Sequence, residues 1–400
     1  MDILSRAVVG VVGAGGVSGE GIWERLATVP HPRARRGLIY LLPTLIAVWL
    51  CALTAPGHDR VAAVTEWLAG TSDEERRRLR LPWDPRDSYR LPDESTIRRM
   101  LAAVDDARLA VALLDLPPTV AVVEERDPPA GGAATVVAQS LALVGAVAVD
   151  GKTSRGAKRA DGRQVHLLGA VTHGDGLLVG QREVDAKSNE TTAFRPLLTP
   201  LDLEEKIVTF DALHTVRANL DWLVTEKKAH YLDVIKGNQS TLKAFLAALP
   251  WAGVPTGDTT RGHGRDETRT LKVATVTHLD FPHADQAIRI QRWRQEKGRP
   301  ATRETVYAVT DATARQAGPA LLADLARGHW HIEVKQHYVR DVAFGEDAST
   351  SRAGRAPAVL AIFRAAVINA LRRARRHRYI PGGRRAHKTA TAALNLHDSP

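Results

Sequence analysis

Two apolar stretches that each end on an aspartate constrain the fold of this 400-residue chain more than any other feature. LALVGAVAVDGKT (residues 141–153) and EKIVTFDAL (residues 205–213) are nearly unbroken apolar runs rich in β-branched residues. Such runs are typical of strands that are buried on both faces of a sheet. If the two strands are parallel neighbours, Asp150 and Asp211 lie side by side at the carboxyl edge, where open α/β sheets bind their ligands.

The sequence around these runs predicts a mixed sheet. HLLGAVTH and GLLVGQREV read as two strands joined by the tight-turn sequence HGDG, and AHYLDVIKG and ETVYAVTDA read as two later strands. Amphipathic segments between the later strands predict helices, and a long helix from about Pro319 to Val342 carries Glu333. The expected fold class is therefore α/β, with a mixed sheet flanked by helices.

Shifts in composition divide the chain into segments. RDPPAGGAATV is rich in Pro, Gly and Ala and marks the clearest boundary, and the Arg-, Thr- and Gly-rich stretch after Asp211 predicts a β-rich insertion. The predicted organisation is an N-terminal helical domain (1–125, with 1–22 flexible), a linker (126–140), a catalytic domain (141–373) with the insertion at about 252–305, and a basic, poorly structured C-terminal tail (374–400).

The charge balance indicates a polyanionic partner. The chain has 55 Lys and Arg against 45 Asp and Glu, a net charge of +10, and such an excess is typical of nucleic-acid binding, although a generic basic surface would also produce it. Cys51 is the single cysteine, which excludes an intramolecular disulfide framework and paired-cysteine zinc sites. Without a recognisable signal peptide, we expect a cytoplasmic, nucleoid-associated protein.

One uncharged stretch, Leu38–Pro56, leaves a membrane-associated protein as an alternative. It contains Pro43, and no second span accompanies it. We therefore expect a buried helix of the helical domain and no membrane partner.

Three acids suggest a particular chemistry. Phosphoryl transfer on DNA uses two divalent ions about 4 Å apart, and Mg²⁺ takes hard oxygen ligands such as carboxylates. Asp150, Asp211 and Glu333 are candidate ligands if the fold brings them together. Each alone is more often a turn or helix cap, so the hypothesis depends on all three in one basic chain.

Seven strings of this sequence resemble the transposases of bacterial insertion sequences, in the branch of the H-repeat-associated proteins. The resemblance runs in the same order from about residue 30 to 373. The strings are PDESTIRRML, VDGKTSRG, KSNET, VTFDALHT, KGNQSTL, HGRDETR and HWHIEVKQHYVRDVAFGED.

This resemblance implies a DDE catalytic triad on an RNase H-like fold, carried here by Asp150, Asp211 and Glu333. It implies two ions, Mg²⁺ or Mn²⁺, at those residues. It also implies double-stranded DNA as partner, both the terminal repeats of the element and the target, with a homodimer on DNA as a compatible assembly. The chain departs from the family pattern at Val216, Gln336, Tyr338 and Arg340, none of which belongs to the triad.

Basic and amide side chains near these acids are candidate DNA contacts. Lys152 and Arg155 follow the first aspartate, with a solvated turn as the alternative. The KGNQ segment follows a strand at the same edge, with a turn-forming Gly-Asn as the alternative. The candidate DNA-binding set is Lys152, Arg155, Lys236, Asn238, Gln239, Arg265, Arg269 and Arg340.

Two further clusters have competing interpretations. His263, Arg265, Glu267 and Arg269 alternate and would share one face of a strand, so DNA contact competes with an internal Arg–Glu ion pair. HWH (residues 329–331) precedes Glu333 by one turn, where packing of the helix against the sheet competes with a histidine–metal site.

The sequence therefore predicts a DNA transposase that cleaves and joins DNA at insertion-sequence ends. One alternative is a DDE-type nuclease without strand transfer. Another is an inactive or domesticated relative that only binds DNA.

Overall fold

A computed structural model describes the chain in two compact units. The described residues are 21–33, 38–86, 88–114, 145–184, 190–211, 216–261, 266–295, 300–374 and 379–398. Within them, the sheet unit contains residues 145–150 and 194–331, and the bundle unit contains residues 21–114, 151–193 and 332–398. The predicted linker and the first 20 residues lie outside the described residues.

The helices cluster at both ends of the sequence and alternate with strands in the middle. They are α1 (Ile22–Ala27), α2 (Leu42–Thr54), α3 (Val61–Ala69), α4 (Asp73–Arg78), α5 (Glu94–Ala103), α6 (Asp106–Leu113), α7 (Glu190–Leu198), α8 (Arg217–Thr225), α9 (Ser240–Ala248), α10 (Pro319–Gly328), α11 (Tyr338–Phe344), α12 (Ala356–Arg373), α13 (Ile380–Ala386) and α14 (Ala390–Asp398). A π-helical turn, Ile332–His337, directly precedes α11.

Eleven strands are described. They are β1 (Trp83–Asp84), β2 (Ser88–Tyr89), β3 (Val147–Lys158), β4 (Gln164–Thr172), β5 (Leu178–Glu183), β6 (Ile207–Asp211), β7 (His230–Ile235), β8 (Asp258–Arg261), β9 (Asp266–Thr275), β10 (Gln286–Gln295) and β11 (Thr302–Thr310). β1 and β2 form a separate antiparallel pair.

The sheet unit contains a mixed sheet, which confirms the expected fold class. Its strand order is β3, β6, β7, β11, β10, β9, β8, where β3 contributes its first four residues. β3, β6 and β7 are parallel, and every later neighbour is antiparallel. The β-rich segment expected at about 252–305 is present as β8–β10, and it extends the sheet through β11.

One apolar face of this sheet is covered by α10. Its buried side chains include Leu322 and Leu325, which pack with Leu271 of β9 and Ile288 of β10. Successive side chains of a strand alternate between the two faces, so the apolar residues of the long strands are directed at this helix. The packing fixes α10 to the sheet within this unit.

The bundle unit is built around two buried helices. Twelve of the thirteen residues of α2 are buried, the exception being Pro43. Trp49 of α2 packs against α12, with its ring 6.3 Å from the ring of Phe363. The buried helix expected within Leu38–Pro56 is therefore confirmed. Among the described helices, none combines the length and hydrophobicity needed to cross a membrane.

The C-terminal segment corrects one expectation. Instead of a poorly structured tail, residues 379–398 contain α13, which packs on α11 and α12, and α14, which packs on α2 within the bundle unit. Arg384 donates a 2.7 Å hydrogen bond to Asp59, and Thr54 lies 3.2 Å from the buried His397 ring. Burial lowers the pKa of His397 to about 3, because a charged imidazole would lose its hydration there.

A second correction concerns the helix that carries Glu333. The predicted single helix from Pro319 to Val342 is interrupted at His329 and Trp330, and it resumes as the π-helical turn and α11. α10 belongs to the sheet unit, whereas the turn and α11 belong to the bundle unit.

Candidate active site

The register of β3 and β6 sets the backbone positions of the two aspartates. The strands are parallel, with Val147 opposite Val208 and Val149 opposite Phe210. Asp150 and Asp211 are the next residues on the two strands, at the same level of the sheet. Neighbouring strands are about 4.8 Å apart, so two strand-end carboxylates at one level can approach a common ligand.

Strand β7 ends at the same edge of the sheet as these aspartates, and the KGNQ segment follows it there. Asp211 is opposite Val234 of β7, and Lys236 follows two residues later. Lys236 and Asn238 are exposed and Gln239 is half-buried, at a 3₁₀ turn that leads into α9. The predicted grouping of the KGNQ segment with this edge therefore agrees with the sheet topology, while a role in DNA contact stays a prediction.

Gly151, directly after Asp150, is packed against a series of hydrogen-bonded polar side chains that the sequence analysis did not identify. A Cβ on Gly151 would clash with the ring of His166 and the carboxylate of Glu190. These two side chains are hydrogen-bonded to each other, and the other ring nitrogen of His166 lies 2.9 Å from the Thr153 hydroxyl. The available signal was Glu190 in the KSNET string, but only the fold brings it to His166 of β4.

Glu333 lies on the π-helical turn of the bundle unit. Its side chain is 53% exposed, and one carboxylate oxygen lies 3.4 Å from Nδ1 of His337, whose side chain is 5% exposed. Insertions of this kind in helices occur frequently at functional sites. His337 is thus a second polar residue at this position, which the sequence reasoning did not single out.

Three side chains hold this turn to the loop between β4 and β5. Gln336 donates a 2.7 Å hydrogen bond to the Gly176 carbonyl, and Arg372 of α12 donates to the Gly176 and Lys335 carbonyls. Lys335 donates to the carbonyl of Gly174. The segment directly after Glu333 is therefore held in place by hydrogen bonds within the bundle unit.

Two predicted DNA contacts are corrected by their burial. Arg340 is 1% exposed and forms paired hydrogen bonds of 2.7 and 2.6 Å with Glu346, so its guanidinium is not accessible to a duplex. Lys152 is 8% exposed and donates a 2.7 Å hydrogen bond to Asp341. Arg155, in contrast, has a side chain that is 78% exposed, with a 3.4 Å ion pair to Asp347.

Glu267 and Arg269, two of the alternating polar residues predicted to share one face of a strand, form an ion pair on β9. Glu267 accepts hydrogen bonds from Arg269 at 2.7 Å and from Arg292 at 2.9 Å. The hydrogen bond from Arg292, with the charges of both arginines, lowers the pKa of the Glu267 carboxyl although burial opposes this. Arg265 and His263 lie outside the described residues.

The chain matches two family models. The model described as "Transposase DDE domain" matches residues 145–370, and the model described as "DDE_Tnp_1-associated" matches residues 23–116. The first match includes Asp150, Asp211 and Glu333.

Curated relatives carry names of the same kind. The chain is 32% identical over 241 residues to "Putative transposase YncI" of Escherichia coli O157:H7, covering 56% of this chain and 61% of that protein. It is 31% identical over 245 residues to "H repeat-associated putative transposase YhhI" of Escherichia coli K12, covering 56% of this chain and 63% of that protein. The match thus spans about three fifths of the length of these relatives.

A third relative matches over most of its own length. It is the "Uncharacterized protein in dhlA 3'region" of Xanthobacter autotrophicus, 30% identical over 299 residues, with 72% of this chain and 92% of that protein covered.

Proposed function

The chain belongs to the family of transposases with a DDE domain, and on that premise we propose that it cleaves DNA at insertion-sequence ends and joins the freed ends to target DNA. The observation that carries the proposal is the register of β3 and β6, which brings Asp150 and Asp211 to one level on adjacent parallel strands. Parallel strand ends at one sheet edge are where α/β folds bind ligands. Residues from distant parts of the sequence thereby meet at a single edge.

The donor set fits divalent ions. Two carboxylates on strands about 4.8 Å apart can each reach an ion at roughly 2.1 Å, and ions about 4 Å apart can be held between such residues. When bound, two Mg²⁺ or Mn²⁺ ions supply electrostatic stabilisation of the attacking and leaving oxygens of the phosphodiester. We propose Asp150, Asp211 and Glu333 as the residues that hold them.

The protein's own residues orient and hold the reacting groups. The three carboxylates serve as ion ligands and do not attack the DNA. In this proposal no side chain is the nucleophile, and no covalent protein–DNA intermediate is formed. The freed 3′-hydroxyl of the element attacks a target phosphodiester at the same site, and the target's own 3′-oxygen leaves as a 3′-hydroxyl when its bond to phosphorus breaks. Because Gly151 has no side chain, the hydrogen-bonded side chains of His166 and Glu190 can pack against β3 directly after Asp150. This packing holds the backbone next to Asp150 in place.

DNA is the proposed partner, and the accessible cations are its proposed contacts. Arg155 is an exposed residue of β3, and Lys236, Asn238 and Gln239 follow β7. Arg269 keeps a place in the proposal because its side chain is 34% exposed despite its pair with Glu267. Side chains of this type position a duplex through its phosphates. Since transposition joins two element ends, a homodimer on DNA is part of the same proposal.

The first prediction concerns the three carboxylates. Asp150→Asn, Asp211→Asn and Glu333→Gln each remove one charge at nearly constant volume, and each is expected to abolish Mg²⁺-dependent cleavage of duplexes that carry the DNA flanking the gene. Residues that act as a unit are not additive, so double variants should be no worse than single ones. Cleavage is measured on labelled duplexes, and DNA binding is measured by fluorescence anisotropy.

Asp280→Asn is the matched control, because that side chain is 95% exposed and pairs only at the surface with Arg217. It should cleave like the wild type. Near wild-type cleavage by any of the three triad variants would remove that residue from the site.

The same assay separates the alternatives. Joined products with a target plasmid support transposition, whereas cleavage without joining identifies a nuclease. Salt-sensitive binding without either reaction identifies an inactive DNA-binding relative.

A further inference from the structure

His337 is a buried histidine beside Glu333 that the proposed triad does not use. It is 4% exposed and lies four residues after Glu333 on the same π-helical turn. Its Nδ1 is directed at one Glu333 carboxylate oxygen, while the glutamate side chain itself is half exposed. A nitrogen donor and an oxygen donor are thus offered from one turn of the backbone.

The distance between the two atoms matches a shared ion. The separation of 3.4 Å is longer than a charge-assisted hydrogen bond, which is about 2.7–2.9 Å. Two neighbouring ligands of an octahedral ion at roughly 2.1 Å are about 3 Å apart. The pair therefore needs only a small side-chain rotation to bind one ion together.

Hydrogen bonds around the turn restrict the positions of Glu333 and His337 before an ion binds. Gln336 is buried and donates to the Gly176 carbonyl at 2.7 Å, and Arg372 donates to the Lys335 carbonyl. The first contact holds the Gln336 side chain and the second holds the Lys335 backbone, and both residues lie between Glu333 and His337. A turn fixed in this way loses little conformational entropy on binding an ion, as preorganised sites do.

We propose that His337 is a nitrogen ligand that shares an ion with Glu333, and that this makes the site bind Mn²⁺ more tightly than Mg²⁺. Mg²⁺ prefers oxygen ligands only, whereas imidazole suits first-row transition metals. The inference rests on the proposed function, since Glu333 is taken as a metal-binding residue.

Mn²⁺ binding to the full chain without DNA tests the inference. Free Mn²⁺ is measured by its electron paramagnetic resonance signal, and Mg²⁺ affinity is measured by competition. Wild-type protein should bind Mn²⁺ at least about tenfold more tightly than Mg²⁺, and His337→Asn should lower the Mn²⁺ affinity by at least about tenfold while Mg²⁺ affinity changes little. Asparagine preserves a polar group at the Nδ1 position, so the buried site keeps its shape.

His331→Asn is the matched control, because it removes another histidine two residues before Glu333. Its Mn²⁺ affinity should equal that of the wild type. An His337→Asn protein with wild-type Mn²⁺ affinity overturns the proposal.

A spectroscopic measurement on the wild type covers the case in which the variant does not fold. Electron spin echo modulation of the bound Mn²⁺ should show a directly ligated ¹⁴N, which persists in His331→Asn. Absence of nitrogen modulation in the wild type overturns the proposal.

Glu333→Gln distinguishes failure of this inference from failure of the proposed function. If Glu333→Gln weakens Mn²⁺ binding and His337→Asn does not, the inference alone is wrong. If Glu333→Gln binds Mn²⁺ as the wild type does, Glu333 is not a ligand and the proposed function loses its third carboxylate.

Discussion

At the scale of single residues, a buried ion-pair cluster lies outside the candidate triad. Glu346 is 2% exposed and accepts hydrogen bonds from Arg340 at 2.7 and 2.6 Å and from Arg364 at 3.3 Å. Burial alone would raise the pKa of Glu346, but the charges of the two arginines outweigh it and lower that pKa to about 2. The cluster anchors α11 to α12 in the bundle unit.

Glu346→Gln is expected to cost about 3–5 kcal/mol of the free energy of unfolding, because two buried guanidinium groups lose their carboxylate partner. Glu183→Gln is the control: its pair with Arg159 has side chains that are 28% and 29% exposed, and its loss should cost less than about 1 kcal/mol. Urea denaturation at pH 7 measures both. Equal losses in the two variants would contradict the assignment.

The pH dependence follows from the direction of the shift. The pKa of Glu346 is lowered from 4.5 to about 2 in the folded protein. Its contribution to the free energy of unfolding is therefore complete above pH 4.5 and is lost as the pH falls towards 2. The difference between wild type and Glu346→Gln should stay constant from pH 7 to pH 5 and shrink below that. A difference that does not change with pH down to 3 would contradict this.

Residue types and spacing identified candidates at this scale but not their surroundings. An arginine close to an acidic triad is a reasonable candidate for a phosphate contact, and Arg155 is indeed exposed. Arg340 is of the same type, yet its partner Glu346 and the neighbouring Gln181 enclose it. Glu346 lies six positions from Arg340, but Gln181 lies 159 positions away, so a local pattern contains only part of what buries this arginine.

At the scale of elements, the loop between β4 and β5 determines where the Glu333 turn lies. Gly176 has a left-handed backbone with φ of +69°, and a Cβ there would be 2.8 Å from the Cβ of Lys335. A side chain at this position therefore meets both backbone strain and a steric clash. Only glycine allows the close approach of the two segments.

Gly176→Ala is expected to destabilise the protein by more than Gly162→Ala. Gly162 is also left-handed, with φ of +83°, but a Cβ there has no neighbour within 4 Å, so its substitution costs only the backbone strain of about 1–2 kcal/mol. Denaturation of both variants measures the difference. Equal destabilisation would mean that Lys335 moves away freely and that the loop does not hold the turn.

Strands were easier to predict than the helix that carries Glu333. β3 and β6 are apolar runs that end on acids, and their parallel pairing follows from burial on both faces. The break at His329 and Trp330 has a weaker signal, a single glycine, Gly328, that is the last residue of α10. The π-helical turn is held by Gln336 and Arg372, so it is a product of tertiary contacts.

At the scale of the whole molecule, the net charge of +10 indicates a polyanionic partner but overstates the positive charge available to it. Arg340, Arg364 and Lys152 are buried and paired with carboxylates. The N- and C-terminal helices also share the bundle unit, where Arg384 meets Asp59 across 325 positions of sequence. Basic residues near the C-terminus suggested a tail because this distant partner was not evident from the sequence.

The central claim is that Asp150, Asp211 and Glu333 hold the same divalent ions. Iron-mediated cleavage of the protein tests it most directly, with Fe²⁺ replacing Mg²⁺. Added hydrogen peroxide oxidises the bound Fe²⁺ and yields hydroxyl radicals that cut the backbone beside the ion, and ascorbate regenerates Fe²⁺. Mass spectrometry of the fragments locates the cuts. We predict cuts at all three residues, each suppressed by excess Mg²⁺ and all lost together in Asp150→Asn. Cuts at only one of the three, or cuts elsewhere that Mg²⁺ suppresses, would contradict the account.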